Sequence, residues 1–260
     1  MNPVKRFQRF WQHHLLRRKR IPLHVWREVV ADVPVLAELN HRELHRLRTL
    51  ASLFLHRKTI NGAGGLVVDD VMRATIAAQA CLLILNLDLD YFDGWVEIIV
   101  YPDPFIVTHA VSDESGVVHQ DSHALGGEAW GRGPVILAWS DINPQNKKSG
   151  RVRNVVLHEF AHKLDMLNGP ADGLPPLHKE MAVGRWSRDF SKVYEKLQYQ
   201  VEHHHHTVID PYASVSPAEF FAVVTEYFFE SPQLLHNFYP DIYQELTSFY
   251  RQDHHNLMKR

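Results

Sequence analysis

The chain has 260 residues, of which 45% are hydrophobic and 22% are charged, values typical of a folded globular protein and not of a disordered one. Its single cysteine, Cys81, excludes an internal disulfide framework and a cysteine-rich zinc finger, and we expect this residue to lie in the core. The formal net charge of −2 gives no indication of direct nucleic-acid binding.

The first 20 residues are strongly basic, with seven lysines or arginines and no acidic residue. They lack the continuous apolar core of a secretory signal, because Gln12, His13 and His14 interrupt the apolar residues. No stretch approaches the roughly 18 apolar residues that span a bilayer, so we expect no transmembrane segment and a cytoplasmic location. We interpret the basic start as a solvated helix or loose terminus, with a membrane-surface or partner-binding arm as the alternative.

The next region, residues 34–94, carries a helical pattern. Leucines recur at helical spacing from Leu36 to Leu53, and Asp69 and Asp70 precede a long apolar run. The glycine-rich segment 61–65 breaks this region into two helical parts.

Strand patterns follow between residues 95 and 142. Runs of β-branched and aromatic residues at 96–100, 105–107 and 135–137 stand between prolines and glycines, and helical patterns return after Gly150. This order predicts an α+β fold with a helical N-terminal part, a small mixed sheet and a further set of C-terminal helices. We therefore divide the chain into a basic arm at 1–33, a helical region at 34–94 and a main domain at 95–260.

One of the later helices contains the pattern His-Glu-x-x-His at residues 158–162. Four residues advance a helix by about 40° beyond one full turn, so His158 and His162 share a face and can reach one Zn²⁺. Glu159 lies about 100° round the helix, where it can contact a water on the metal without being a ligand. The chain's 19 histidines make an accidental match more frequent, but the surrounding apolar residues predict a buried helix. Ionisable groups in such a helix are costly unless paired or metal-bound, and the sequence therefore predicts zinc.

A third metal ligand has to come from elsewhere in the chain. The metzincin arrangement requires glycine and histidine where this chain has Asp165 and Asn168, so a carboxylate on a later helix remains. Glu219, in an apolar segment, is one candidate, although Ser216-x-x-Glu219 also matches a capping box. Glu226 lies seven residues further, on nearly the same face, and spacing leaves both glutamates open, with other downstream acids as further alternatives.

Several motifs together resemble the Mlc titration factor A family, and the resemblance extends over most of the chain. It rests on the segments 158–165, 210–213, 217–229, 95–107 and 133–139. The resemblance implies a cytoplasmic bacterial zinc peptidase of the gluzincin kind, similar to the catalytic domain of lethal-factor toxins. It also implies aminopeptidase-like activity on a peptide substrate, and binding to the glucose repressor Mlc, which regulates sugar phosphotransferase genes.

The same resemblance assigns roles to individual residues. It implies that one Zn²⁺ is held by His158, His162 and Glu219, and that Glu159 is the catalytic base. It implies that Tyr212, seven residues before the ligand glutamate, stabilises the oxyanion. Residues 95–260 would then form a zincin-like metallopeptidase domain.

Supporting roles are expected for residues around this centre. Asp165 and Glu226 are candidates for orienting the imidazoles, with a surface or capping role as the alternative for each. The strand near residues 134–139 is a candidate to pair with an extended peptide. Four consecutive histidines at 203–206 predict weak adventitious metal binding in a loop, because no apolar helix holds them in one geometry.

Two other function classes stay open at this point. The chain could be a regulatory protein that binds a transcription factor and whose peptidase activity is incidental. It could also be a structural zinc protein, in which case the fourth metal position would be closed.

Overall fold

The structure is a computed structural model that describes residues 20–112, 118–125, 127–129, 133–143 and 152–257. Its N-terminal part is helical, as predicted, and the third and fourth helices begin at side-chain caps. Asn40 and Glu43 form a capping box, and Asp69 accepts a hydrogen bond from the Met72 amide at 2.8 Å. The helices are α1 (Leu23–Asp32), α2 (Pro34–Ala37), α3 (His41–Arg57) and α4 (Asp70–Leu83).

The strands form two sheets. The larger sheet has the order β1-β2-β6-β5, with β1, β2 and β6 parallel and β5 antiparallel to β6, while β3 and β4 pair antiparallel with each other. These elements confirm the predicted small mixed sheet and the α+β class. The strands are β1 (Thr59–Gly62), β2 (Glu97–Tyr101), β3 (Phe105–Ser112), β4 (Val118–Leu125), β5 (Gly127–Ala129) and β6 (Val135–Ala138).

Strand β1 corrects the prediction of a simple break at residues 61–65. The strand is only four residues long and buries only Ile60, and its Asn61 and Gly62 belong to residue types that strands disfavour. Gly62 is required there for a different reason: a Cβ on this residue would lie 1.9 Å from the carbonyl oxygen of Leu66. The glycine at residue 62 therefore reflects the close approach of another backbone segment at the end of a strand.

The C-terminal part is helical again, and the helix predicted around the His-Glu-x-x-His pattern is present. Short 3₁₀ turns occur at Leu89–Phe92 and Pro211–Ser214. The helices are α5 (Trp139–Ile142), α6 (Val155–Asp165), α7 (Val183–Glu202), α8 (Pro217–Glu230), α9 (Pro232–Phe238), α10 (Pro240–Tyr250) and α11 (His254–Leu257).

Helix α6 lies at the centre of the fold and contacts α4, α8, β5 and β6. Its Phe160 packs into an aromatic cluster, with ring centroids 5.7 Å from Phe54, 5.2 Å from Phe92 and 5.6 Å from Trp95. The rings of Phe92 and Trp95 meet that of Phe160 edge-on and the Phe54 ring is tilted, arrangements that add to the stabilisation from burial. The helix is therefore anchored by residues from the helical N-terminal part and from the start of the sheet.

The N-terminal helix α1 packs against α4 and buries Val25, Trp26 and Val29 in the same core. Of the basic first 20 residues, 1–19 lie outside the described residues, so the interpretation of that segment stays a prediction. The division at residues 33 and 94 also stays a prediction. Cys81 is fully buried, as expected. Within the described part of the chain, no helix is both long and apolar enough to cross a membrane.

Candidate metal centre

Helix α6 brings its two histidines together on one face. Asn154 caps the helix by accepting a hydrogen bond from the Leu157 amide at 3.1 Å, which fixes where the first turn begins. The Nε2 atoms of His158 and His162 then lie 3.2 Å apart, one turn from each other. Both imidazoles lie on one helix face, as predicted, with their ring planes at 81° to each other.

Glu219 is brought to the same place by the first turn of α8. Ser216 caps this helix and accepts a hydrogen bond from the Glu219 amide at 3.1 Å, but the Glu219 carboxylate does not complete a capping box. Instead Oε2 lies 3.0 Å from Nε2 of His158, and Oε1 lies 3.5 Å from Nε2 of His162. The cap therefore places the backbone, and the carboxylate faces the imidazoles.

The spacing of these three groups suits a metal ion. Zn²⁺ ligands at 2.0–2.1 Å in a tetrahedron lie about 3.3 Å from one another, close to the three separations observed. Two imidazoles and one carboxylate are ligands typical of a zinc site. Among the residues that the structure describes, His158, His162 and Glu219 form the one cluster of three such groups that could hold a metal.

The electrostatics of the site favour a positive charge between the side chains. Burial lowers the pKa of His158, but hydrogen bonds to Glu219 and Glu226 outweigh burial and raise this pKa to about 10. Burial raises the pKa of Glu219, but hydrogen bonds to His158 and His162 bring it down to about 2. A cation, whether proton or metal, is therefore strongly stabilised at this position.

Glu226 lies behind His158. Its Oε1 is 2.8 Å from Nδ1 of His158, and its Oε2 accepts a hydrogen bond from the backbone amide of Asn154. Of the two glutamates that spacing left open, Glu219 faces the Nε2 pair and Glu226 contacts the opposite side of the ring. A carboxylate on the second nitrogen of a ligating histidine is a common way of orienting the ring.

Glu159 and Tyr212 lie beside the three candidate ligands. Glu159 is buried, and the Tyr212 ring centroid is 6.1 Å from that of His158. Asp210 positions Tyr212 by accepting a hydrogen bond from its amide at 2.9 Å. Burial and the nearby carboxylates of Glu219 and Glu159 raise the pKa of the Tyr212 hydroxyl to about 12, so it stays a hydrogen-bond donor at neutral pH.

Asp165, the other candidate for orienting an imidazole, holds a loop. Its Oδ2 accepts a hydrogen bond from the Gly173 amide at 2.8 Å, and burial raises the pKa of this carboxyl to about 6. Within the described residues, Nδ1 of His162 is buried and has no hydrogen-bond partner. The Trp186 indole donates to the Gly173 carbonyl at 3.0 Å, so Gly173 joins α6 to α7. The sequence predicts a loop at residues 170–176 and gives no sign of this contact.

The prediction that the strand near residues 134–139 pairs with an extended peptide is wrong. Strand β6 lies between β2 and β5, so neighbours in the sheet already pair with both of its edges. The outer strands of this sheet are β1 and β5, and of these two β5 contacts α6. The sequence could not show this, because β5 is three residues long and contains no β-branched residue.

The histidine run lies apart from this centre. Residues 203–206 follow the end of α7 in an exposed turn, as expected, with the His203 ring stacked on Tyr199 at a centroid distance of 4.0 Å. None of these four histidines belongs to the cluster that could hold a metal.

Comparison with known proteins gives consistent similarities over most of the chain. Residues 7–251 match the family described as glucose-regulated metallo-peptidase M90. The chain is 37% identical over 238 residues to a Yersinia enterocolitica protein named Mlc titration factor A. This alignment covers 90% of this chain and 88% of that protein. Proteins of the same name from Yersinia pestis and Yersinia pseudotuberculosis are 38% identical over 239 residues, covering 90% of this chain and 87% of theirs.

Proposed function

The chain belongs to the glucose-regulated metallo-peptidase M90 family, and on this basis we propose that it is a zinc-dependent peptidase with aminopeptidase-like activity. The observation that supports the proposal best is the cluster of His158, His162 and Glu219, whose ligand atoms have the spacing of a tetrahedral metal site. Glu159 lies on the same helix, one residue after the first ligand, where a general base is needed.

In this proposal His158, His162 and Glu219 hold one Zn²⁺ per chain. When bound, the ion supplies Lewis acidity, which lowers the pKa of a water to about 7 and polarises the substrate carbonyl. The protein's part in binding is the rigid placement of the three ligands, since two are on buried α6 and the third is on the capped first turn of α8.

The remaining chemistry falls to two side chains. Glu159 accepts a proton from the attacking water and passes it to the leaving amine, a role that contributes typically 10² to 10⁴-fold. The Tyr212 hydroxyl, which is protonated at neutral pH, donates a hydrogen bond to the carbonyl oxygen as negative charge develops there. An extended peptide is proposed to pair with β5, the outer strand of the sheet beside α6.

We also propose that the protein acts in the cytoplasm and binds an Mlc-type transcriptional repressor. Support for this comes from relatives that bear the name Mlc titration factor A and align over 90% of this chain. In the alternative function the protein is a regulatory binding module, and its zinc site is structural or its peptidase activity incidental.

The Glu159→Gln variant tests the catalytic proposal. We expect it to keep its zinc and to lose turnover of aminoacyl chromogenic substrates by 10² to 10⁴-fold. Glu195→Gln, on the exposed surface of α7, is the matched control and should behave as the wild type. Metal content is measured on protein purified without a nickel column, and a chelator should abolish wild-type turnover.

Two outcomes would count against parts of this proposal. Wild-type turnover in the Glu159→Gln variant would show that the catalytic assignment is wrong. Repressor binding at wild-type affinity by the same variant would show that binding does not need the chemistry, which would favour the regulatory alternative.

A further inference from the structure

Asn154 lies where three helices meet, and every hydrogen-bonding group of its side chain is used. Its Oδ1 caps α6 by accepting from the Leu157 amide, while Nδ2 donates to Oε1 of Gln79 at 2.7 Å and to Oε1 of Glu230 at 2.6 Å. Asn154 and Gln79 are each 3% exposed. Because unpaired polar groups at such depth are costly, these bonds hold the start of α6 against α4 and α8.

The same residue is tied to the metal centre through its backbone. The amide of Asn154 donates to one oxygen of Glu226, and the other oxygen of Glu226 is 2.8 Å from Nδ1 of His158. A carboxylate bonded to Nδ1 fixes the orientation of the ring, so that Nε2, the nitrogen left to bind a metal, faces Glu219 and His162. A shift of Asn154 would therefore move the carboxylate that sets the angle of the His158 ring.

We propose that Gln79 and Asn154 are positioning residues for the metal centre, acting through Glu226 on His158. The inference rests on the proposed zinc site. Gln79 belongs to α4, 75 residues before Asn154, and its own Nε2 lies 3.5 Å from the Thr75 carbonyl oxygen, which orients its amide. The helical N-terminal part thus contributes to the geometry of a site whose candidate ligands are all on α6 and α8.

A purely structural role for Asn154 is the competing explanation, and the chemistry of its side chain separates the two. The cap needs only the oxygen that accepts from Leu157, which serine also supplies. The tie to Gln79 needs the Nδ2 group, which serine lacks. Asn154→Ser therefore keeps the cap and removes the hydrogen bond to Gln79. Gln79→Met removes the acceptor of the same hydrogen bond with little change in side-chain volume.

The experiment measures zinc affinity by chelator competition and the visible absorption of the cobalt-substituted protein, together with thermal unfolding. Loss of an orienting partner typically lowers metal affinity by 10 to 100-fold. We expect that range for Glu226→Gln, and a loss of about fivefold to tenfold, with an altered cobalt spectrum, for Gln79→Met and Asn154→Ser.

The matched control is Thr225→Val. Thr225 is fully buried on α8 and hydrogen bonds to the Tyr250 hydroxyl at 2.9 Å, so this variant loses a buried bond whose two partners are outside the series of contacts from Gln79 to His158. It should unfold at a lower temperature and keep wild-type zinc affinity and cobalt spectrum.

Wild-type zinc affinity and an unchanged cobalt spectrum in both Gln79→Met and Asn154→Ser would overturn the inference. So would an equal loss of zinc affinity in Thr225→Val, since stability alone would then explain the effect. If one of the two variants fails to fold, the zinc affinity and cobalt spectrum of the other variant test the inference. Neither readout needs a peptide substrate, so a failure of the proposed peptidase activity and a failure of this inference give different results.

Discussion

Glu219 and Glu226 contact opposite nitrogens of one imidazole, that of His158. Glu219 is 3.0 Å from Nε2 and Glu226 is 2.8 Å from Nδ1. Seven residues of helix separate their Cα atoms by about 10.5 Å along the axis, enough for a ring from the neighbouring helix to lie between the two side chains. The packing of α6 against α8 therefore decides which glutamate faces the metal position.

Glu219→Ala and Glu226→Ala should consequently differ. We expect Glu219→Ala to lose stoichiometric zinc after dialysis, because it removes one of three candidate ligands. Glu226→Ala should still fill with zinc at saturation, at an affinity lowered by about 10 to 100-fold. Metal analysis by mass spectrometry measures both, with Glu195→Ala as the surface control. Full zinc content in Glu219→Ala would assign the ligand role to another acid.

Tyr212→Phe should affect turnover alone. Phenylalanine keeps the ring of this 52% exposed residue, so we expect the fold to be retained, while a lost oxyanion donor costs about 3 kcal/mol, or about 10²-fold in kcat. Steady-state kinetics and metal content are measured together, with Tyr199→Phe, 54% exposed on α7, as the control. A parallel loss of zinc and turnover would show that Tyr212 is structural.

Gly173→Ala should destabilise the fold and loosen the metal centre. Gly173 has a φ of +80°, and a Cβ on it would lie 2.5 Å from the carbonyl oxygen of Pro217, two residues before Glu219. The left-handed backbone alone costs an alanine about 1–2 kcal/mol, and Pro217 must also shift. Gly184→Ala is the control. Gly184 lies in α7 with open space around it, so the alanine variant should have a free energy of unfolding higher by up to about 1 kcal/mol.

Chemical denaturation together with zinc affinity tests this pair of glycine variants. Gly173→Ala should unfold at a lower denaturant concentration and bind zinc more weakly, and Gly184→Ala should do neither. Equal stability of the two variants would mean that the loop accommodates a side chain at residue 173.

Lys58 should give the stability of the protein a distinct pH dependence. Its ammonium group is buried, donates to the carbonyl oxygens of Phe92 and Trp95, and lies 3.8 Å from the centroid of the Trp95 ring. Burial lowers the pKa of Lys58 from 10.5 to about 8, with Asp93 opposing the shift and Arg57 adding to it.

Between pH 8 and pH 10.5 the unfolded chain therefore holds more protons at this residue than the folded chain does. The free energy of unfolding should rise with pH in that range, by at most about 1.4 kcal/mol per pH unit from this group. Lys58→Met should remove the part of the slope that is due to Lys58 and leave the part due to Lys163, whose pKa burial also lowers to about 8. Denaturant titrations of both proteins from pH 7.5 to about 10.5 measure it, and parallel pH profiles would contradict the prediction.

The elements that could be predicted from the sequence have strong local signals. Helices α6 and α8 are long apolar runs with capping residues, and the spacing of His158 and His162 fixes their common face. The elements that were missed depend on distant partners. Strands β1 and β5 are short and have weak strand propensity, so their pairing depends on β2 and β6.

The supporting contacts of the site were also beyond sequence reasoning. Gln79 and Asn154 are 75 residues apart, and no local pattern links an amide in one helix to the cap of another. The contact between Gly173 and Asp165 is closer in sequence, but an Asp-Gly pair indicates only a turn. Such contacts depend on how helices pack, which one chain's periodicity does not encode.

Phe160 also bears on how the chain can be shortened. It is enclosed by Phe54, Phe92 and Trp95, and it sits on α6 between the two candidate histidine ligands. A fragment that began at residue 95 would keep only one of those three rings and would expose the underside of α6 to water. A minimal catalytic unit made by truncation therefore has to retain α3 and the 3₁₀ turn before β2, even though neither supplies a ligand.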